Sequence, residues 1–311
     1  MKYVLWILLG LAGLALVFVV LPTIVSYFAA FRRRKGRSFD ELDFTGTPYE
    51  PYIAQISKEI AYFKAKEMER VEIRSADGLM LRGYYLDAQS KRTCIFVHGW
   101  NTTPFSNFGT QGHFLYEELK FNLLFIHQRA FGESEGLLHT MGIKERMDVR
   151  SWIRFADQRG ADEILLYGTS MGAETLGLGA DTFKNKKVRA MVMDCGFVSP
   201  RAEMEKQARD LHMPGALAAG GARIMAKILL RVDLYEEVAD HLRNTDIPVF
   251  FLHAKPDEVV PVEDTLSNYE ACASPKMRLI TEKGCHATAF IEGGEKSREM
   301  MRTFVLANFD A

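Results

Sequence analysis

Six short, nearly continuous apolar runs constrain this chain more than any other feature: TCIFVH (93–98), NLLFIH (122–127), EILLYG (163–168), VRAMVMD (188–194), PVFFLH (248–253) and KMRLIT (276–281). A strand that is apolar at successive positions is buried on both faces, which is the condition of a parallel sheet. Helical stretches separate several of the runs. In KERMDVRSWIRFADQR (144–159), Met147, Trp152, Ile153 and Phe155 supply an apolar face. The alternation predicts an α/β sheet with helices on both sides. Upstream, MERVEIRSADGLMLRGYYLDA (68–88) reads as a hairpin. Val71 and Ile73 alternate with polar residues, Asp77-Gly78 supplies the turn, and Leu79, Leu81 and Tyr85 return.

The 311 residues include 48% hydrophobic and 25% charged side chains, which excludes disordered, collagenous and disulfide-scaffold classes. Residues 1–37 hold six of the 39 Lys/Arg and none of the 40 Asp/Glu, so the remaining body is acidic. An acidic body is a poor phosphate binder, and no nucleic-acid partner is expected. Cys94, Cys195, Cys272 and Cys285 form no C-x-x-C pair and no cluster at zinc spacing. They read as buried free thiols, with no metal expected.

From Tyr3 to Phe31 the chain carries no charge. As a helix this stretch would reach ~43 Å, more than the ~30 Å of a bilayer core and too long for a signal-peptide apolar region. The expectation is one transmembrane helix in the bilayer through residues 3–31, with residues 1–37 forming the anchor and its basic flank FRRRKGR. The positive-inside bias then places the single-pass protein with its body in the cytoplasm. Residues 38–67 read as a linker and lead-in helix, and 68–311 as the body. More than fifty residues lie between Asp194 and Pro248, where ~10–15 suffice for a crossover. The segment 200–242 is helical in character with a break at Met213-Pro214-Gly215, and is expected to be a helical cap over the sheet's functional edge. Leu211, Met213, Leu217, Met225, Ile228 and Leu229 either line an acyl pocket or pack onto the body.

The chemistry centres on Gly168-Thr169-Ser170-Met171-Gly172, which follows the strand EILLY and precedes the helical AETLGLGADTF. G-x-S-x-G alone arises by chance in about one chain in ten of this length. The strand–turn–helix setting is what a nucleophile elbow requires. A serine hydroxyl needs a neutral imidazole to take its proton, and the imidazole needs a carboxylate to orient it. After Ser170 the histidines are His212, His241, His253 and His286. His286, in EKGCHATAF just beyond a strand's carboxyl end, is the expected base. Asp257, in HAKPDEVVP, is the expected acid, with Glu258, Asp264 and Asp194 as runners-up. The main-chain N–H groups of Met171 and Trp100 are the expected oxyanion donors, and His98 is expected to organise the Trp100 loop.

VHGW (97–100), QRAFGESEG (128–136), GTSMG (168–172), KPDEVVP (255–261) and CHA (285–287) occur in order. Together they make the body, over roughly 68–308, resemble the α/β-hydrolase superfamily. Within it, the resemblance is to membrane-anchored bacterial hydrolases of the serine aminopeptidase/monoglyceride-lipase-like branch. It implies an eight-stranded, mostly parallel sheet with a helical cap, and carries the triad onto Ser170, Asp257 and His286. One departure stands out: the family commonly has an Asp before the Arg after the fourth strand, where this chain has His127-Gln128. The expected function is that of a membrane-anchored serine hydrolase cleaving a lipid or acyl ester through an acyl-enzyme, with no cofactor. A peptidase, amidase or thioesterase on the same triad is the alternative, with Glu203 and Glu205 able to bind a substrate amine. A tethered binding protein without turnover is the alternative of a different class.

Overall fold

The computed structural model describes residues 2–15, 24, 27, 28, 30–212 and 214–309. Its strands are β1 (Glu69–Arg74), β2 (Met80–Leu86), β3 (Arg92–Val97), β4 (Asn122–Ile126), β5 (Glu163–Thr169), β6 (Val188–Asp194), β7 (Val249–Ala254) and β8 (Lys276–Thr281). They form one sheet in the order β1-β2-β4-β3-β5-β6-β7-β8. β2 runs antiparallel to β1 and β4, and every other neighbouring pair is parallel. Each expected strand is present to within a residue, and the expected hairpin is β1–β2.

The apolar runs have a simple cause. Alternate side chains of a strand point to opposite faces, and here each face meets its own core. Ile95, Val97, Leu124, Ile126, Ile164, Leu166, Met191, Met193, Val249 and Phe251 enter one core. Cys94, Phe96, Leu123, Phe125, Leu165, Tyr167, Ala190, Val192, Phe250 and Leu252 enter the other. The first core is closed by the helices Glu145–Gln158, Met171–Gly179 and Val238–Leu242. The second is closed by Pro104–Glu117, Gly294–Asn308 and the lead-in helix Glu50–Lys64 through Phe63. Each large apolar side chain so buried contributes about 1.5–3 kcal/mol.

The amino-terminal expectation is overturned. Among the described residues no helix is long and apolar enough to cross a membrane. The described helix there, Lys2–Ala15, accounts for 14 residues, ~21 Å at ~1.5 Å per residue, short of the ~30 Å core. The single-pass anchor through residues 3–31 is therefore not supported, and the cytoplasmic placement that rested on its flanks falls with it. The rest of that stretch, 16–23 with 25, 26 and 29, lies outside the described residues. The far end of the stretch has another use. Tyr27 and Phe31 are buried in the first core, their rings stacked at 4.6 Å. The basic flank behind them is hydrogen-bonded along the body.

Between β6 and β7 the chain forms the helices Pro200–Asp210 and Gly215–Leu230, then Val238–Leu242. Ser199 caps the first, its hydroxyl accepting the Ala202 N–H, with Pro200 at the start. Of the expected pocket residues, Leu211, Leu217, Ile228 and Leu229 are exposed. Met225 packs against the first core, and Met213 lies outside the described residues.

Candidate active site

The parallel strands end along one edge, and the expected residues follow those ends. Ser170 comes directly after β5, Asp257 three residues after β7, and His286 five after β8. This carboxyl edge is where open α/β sheets build their sites.

Ser170 adopts φ +56° and ψ −123°, a backbone region that costs a non-glycine residue about 1–3 kcal/mol and persists only when its surroundings enforce it. The enforcement is visible. The Ser170 N–H donates to Asp194 O at 2.8 Å, and the Glu174 N–H returns to Ser170 O at 3.0 Å. A Cβ at Gly172 would stand 1.8 Å from Val97 O, and one at Gly168 would stand 2.4 Å from Gly172 O. Both glycines of the elbow are thus required by close backbone approach. The turn places the hydroxyl at the start of the helix Met171–Gly179, whose first N–H groups lack intrahelical partners and carry partial positive charge.

His286 Nε2 lies 2.9 Å from Ser170 Oγ, and His286 Nδ1 lies 2.8 Å from Asp257 Oδ2. The other carboxylate oxygen, Oδ1, accepts the Val259 and Val260 N–H groups at 2.8 and 2.9 Å. Burial works to raise the Asp257 carboxyl. The His286 charge, hydrogen bonds from His253 and His286, and the Val260 N–H outweigh it and hold the group well below the usual carboxylate range. Burial likewise works to lower the His286 imidazole. The charge and hydrogen bond of Asp257, with Glu203 and Asp194 further off, win and leave it above its ordinary value. The His286 loop is pinned by Thr288, whose hydroxyl accepts the Cys285 N–H at 2.8 Å.

The loop expected to supply an oxyanion donor follows β3. A Cβ at Gly99 would lie 3.2 Å from Ser170 Cβ, so the loop passes directly beside the serine. The Gly99 N–H donates to Asn107 Oδ1 at 2.8 Å. His98 is fully buried and makes two bonds: Nδ1 to Gly99 O at 2.7 Å and Nε2 to the Gln128 N–H at 3.1 Å. A carbonyl only accepts and an amide N–H only donates, so the ring is neutral with its proton on Nδ1. Burial, aided by His127, pushes its pKa down to about 3, consistent with that state. The Gly99 carbonyl is held by this bond, and in a trans peptide the Trp100 N–H points the opposite way.

Gln128 is the residue that the sequence reading undervalued. Its side chain is buried; Nε2 donates to His98 O at 2.5 Å and Oε1 accepts the Thr175 hydroxyl at 3.3 Å. With its N–H on the His98 ring, it ties the loop after β3 to the helix Met171–Gly179. The only signal for it was the departure from the family pattern at this position.

The runner-up residues are placed elsewhere. His241 pairs with Asp181 and Glu236, His212 follows the helix Pro200–Asp210, and the Asp264 carboxylate accepts the Val198 N–H. Glu258 is exposed. Asp194 is fully buried at the end of β6, and burial pushes its carboxyl up to about 7. Glu203 is also buried; its carboxylate accepts the Gln207 amide at 2.6 Å, and burial pushes it up to about 7. The four cysteines are free and buried. Donor atoms of Cys195, Asp257 and His286 lie within 4.8 Å of one another. Burial keeps the Cys195 thiol protonated, and a cation there would have to break the His286–Asp257 bond.

No protein-family profile matches the chain. The uncharacterized protein YqkD of Bacillus subtilis is 26% identical over 253 residues, covering 78% of this chain and 81% of YqkD. The uncharacterized protein YfhR of Escherichia coli K12 is 25% identical over 258 residues, covering 77% and 81%. Among solved structures, a Pyrococcus furiosus esterase superposes with a TM-score of 0.66 at 19% identity, over 90% of this chain and all of that one. An esterase from Exiguobacterium antarcticum gives 0.57 at 19%, over 76% of this chain and 98% of its own. The chain therefore has the α/β-hydrolase fold. The likeness is to esterases of that fold and does not single out the aminopeptidase/monoglyceride-lipase-like branch.

Proposed function

We propose that the protein is a serine hydrolase that cleaves carboxylic esters through a covalent acyl-enzyme. The observation that carries this reading is the continuous line of hydrogen bonds from Ser170 Oγ to His286 Nε2 at 2.9 Å and from His286 Nδ1 to Asp257 Oδ2 at 2.8 Å. Neutral His286 takes the hydroxyl proton as Ser170 Oγ attacks the ester carbonyl. The carbonyl oxygen becomes an oxyanion facing the N–H groups of Met171 and Trp100. Asp257, anionic throughout, keeps the Nδ1–H tautomer and stabilises the imidazolium. His286 then gives its proton to the departing alcohol. Water, deprotonated by the same ring, attacks the acyl carbonyl and frees the acid and Ser170.

The likeness to esterases favours an ester over an amide. The test uses a fluorophosphonate probe. Wild type is expected to label and Ser170→Ala not to. Hydrolysis of p-nitrophenyl esters is expected to exceed that of aminoacyl anilides. A folded wild-type protein that neither labels nor turns over any ester would end this reading.

A further inference from the structure

The basic run after Phe31 reads in the sequence as a flank and plays no part in the hydrolytic scheme. In the structure it is an extended strap laid across the loops that follow β3 and β4. The His139 N–H donates to Phe31 O at 3.0 Å and the Arg33 N–H to Leu137 O at 2.7 Å. The Arg34 N–H donates to Ala130 O at 2.9 Å, and the Gly132 N–H to Arg34 O at 3.1 Å. The Arg33 guanidinium donates to the carbonyls of Gly132 and Ser134. Finally the Arg37 N–H donates to Asn101 O at 3.0 Å, and Arg37 bridges to Thr102.

These contacts converge on the residue expected to supply an oxyanion donor. Trp100 lies outside any helix or strand and is 42% exposed. The next residue, Asn101, has φ +53°. A loop of this kind is held only by what touches it. From the inner side, His98, itself held by Gln128, fixes the Gly99 carbonyl. From the outer side, the Arg34 guanidinium stands 5.3 Å over the Trp100 ring. The Trp100 indole N–H reaches His139 Nε2 at 3.2 Å, and Phe31 stacks on the His139 ring at 5.2 Å. Arg37 holds the peptide that follows Asn101. Gly36 permits the approach: it has φ +77°, and a Cβ there would stand 2.6 Å from Thr102 O.

We propose that the strap Phe31–Arg37 is a positioning element of the active site, holding Trp100 so that its main-chain N–H faces the oxyanion. The proposal rests on the reading of Ser170 as nucleophile. A single oxyanion donor is worth about 10²–10³ in kcat, and a displacement of ~1 Å can forfeit much of that. A strap that fixes the donor therefore acts on the transition state and leaves ground-state binding alone.

The test compares full-length wild type, Arg34→Met and Gly36→Val. It measures kcat and KM for a p-nitrophenyl ester, inhibition by phenylboronic acid, whose tetrahedral adduct with Ser170 presents an oxygen to the same donors, and thermal melting. The expected result is a fall in kcat of at least about tenfold, with KM nearly unchanged and boronate affinity weakened in step with kcat. Arg34→Met, which removes the guanidinium over the Trp100 ring and keeps the strap's main-chain bonds, decides the matter if Gly36→Val does not fold. Folded variants with wild-type kcat and boronate affinity would overturn the proposal, as would a lower melting temperature with unchanged turnover per folded molecule. Wild type without esterase activity or boronate inhibition would overturn both the proposal and the reading beneath it.

Discussion

His253 Nε2 lies 3.2 Å from Asp257 Oδ2, so the carboxylate that orients His286 is approached by a second, fully buried imidazole. The Nε2 proton follows from the partners. Nε2 also reaches Val260 O at 3.0 Å, which only accepts, so Nε2 bears a proton, and Nδ1 lies 2.7 Å from the Thr265 hydroxyl. The Nε2–H thus faces Asp257 from behind and holds its rotamer. His253→Ala is expected to lower kcat about tenfold, the ~1.4 kcal/mol of one charge-assisted hydrogen bond, with KM little changed. His253→Gln, whose amide can still donate, should recover part of the loss. Steady-state kinetics on a p-nitrophenyl ester checks both.

The pH profile follows from the direction of the His286 shift. Only the neutral ring accepts the Ser170 proton, so activity rises as pH climbs through the His286 pKa. That pKa stands above 6.5 chiefly because of the Asp257 charge and hydrogen bond, working against burial. The acid limb of kcat/KM is therefore expected to have its midpoint above pH 6.5. Asp257→Asn removes the charge, and the limb should move to lower pH while kcat falls by several orders of magnitude. The same shift bears on stability with the opposite sense. A histidine raised on folding stabilises the fold fully below its unfolded pKa and loses that contribution as pH rises through the folded value. Thermal melts of wild type and Asp257→Asn across pH 5–9 would show their difference narrowing toward the alkaline end.

The sheet was legible because two-sided burial leaves a plain mark on sequence: Leu124 enters one core while Phe96 and Tyr167 enter the other, so apolar residues run on without a polar alternate. The glycines of the elbow were legible because nothing larger fits, as the Val97 carbonyl 1.8 Å from a Cβ at Gly172 makes clear. Ser170, Asp257 and His286 were placed by strand ends and chain order. Whether they touch was not in the sequence, since bonds spanning 116 and 29 residues depend on the sheet as a whole. Gln128 and His253 escaped for the same reason: their work lies in which atoms they face. The amino terminus misled because hydropathy has no term for destination. Tyr27 and Phe31 are as apolar in a protein core as in lipid, and Arg32–Arg37 satisfy main-chain groups of the body where a membrane flank was expected.

Gln128→Leu keeps the volume of the buried side chain and deletes its amide. His98 O loses the Nε2 donor and Thr175 loses one acceptor, while the main-chain bond to the His98 ring remains. A buried group left without a partner costs about 1–3 kcal/mol, so a lower melting temperature is expected. Because the bond lies between the oxyanion loop and the nucleophile helix, kcat should fall as well, by about tenfold or more, with KM nearly constant. Gln128→Glu preserves an acceptor for Thr175 and removes the donor to His98 O, and so isolates the loop's share. Kinetics and melting measured on the same preparations separate the two effects.

Asp194 is a carboxyl group at the end of β6 with no accessible surface. Among the described residues its side-chain oxygens have no hydrogen-bond partner beyond a weak approach of the Cys195 thiol. Burial dominates and raises its pKa to about 7, against partial compensation by His253 and His286. For an acid whose pKa rises on folding, stability is full at low pH, where both states are protonated. It declines as pH climbs from the unfolded value near 3.8 through about 7. Above that the fold carries a buried anion that water would solvate better. Asp194→Asn keeps the shape and removes the charge, leaving the main-chain bond from Ser170 N–H to Asp194 O in place. It is expected to raise the melting temperature at pH 8 and to change it little at pH 4. Differential scanning calorimetry at the two pH values is the measurement. A variant destabilised equally at both would mean that the carboxyl group accepts a structural bond that an amide does not reproduce.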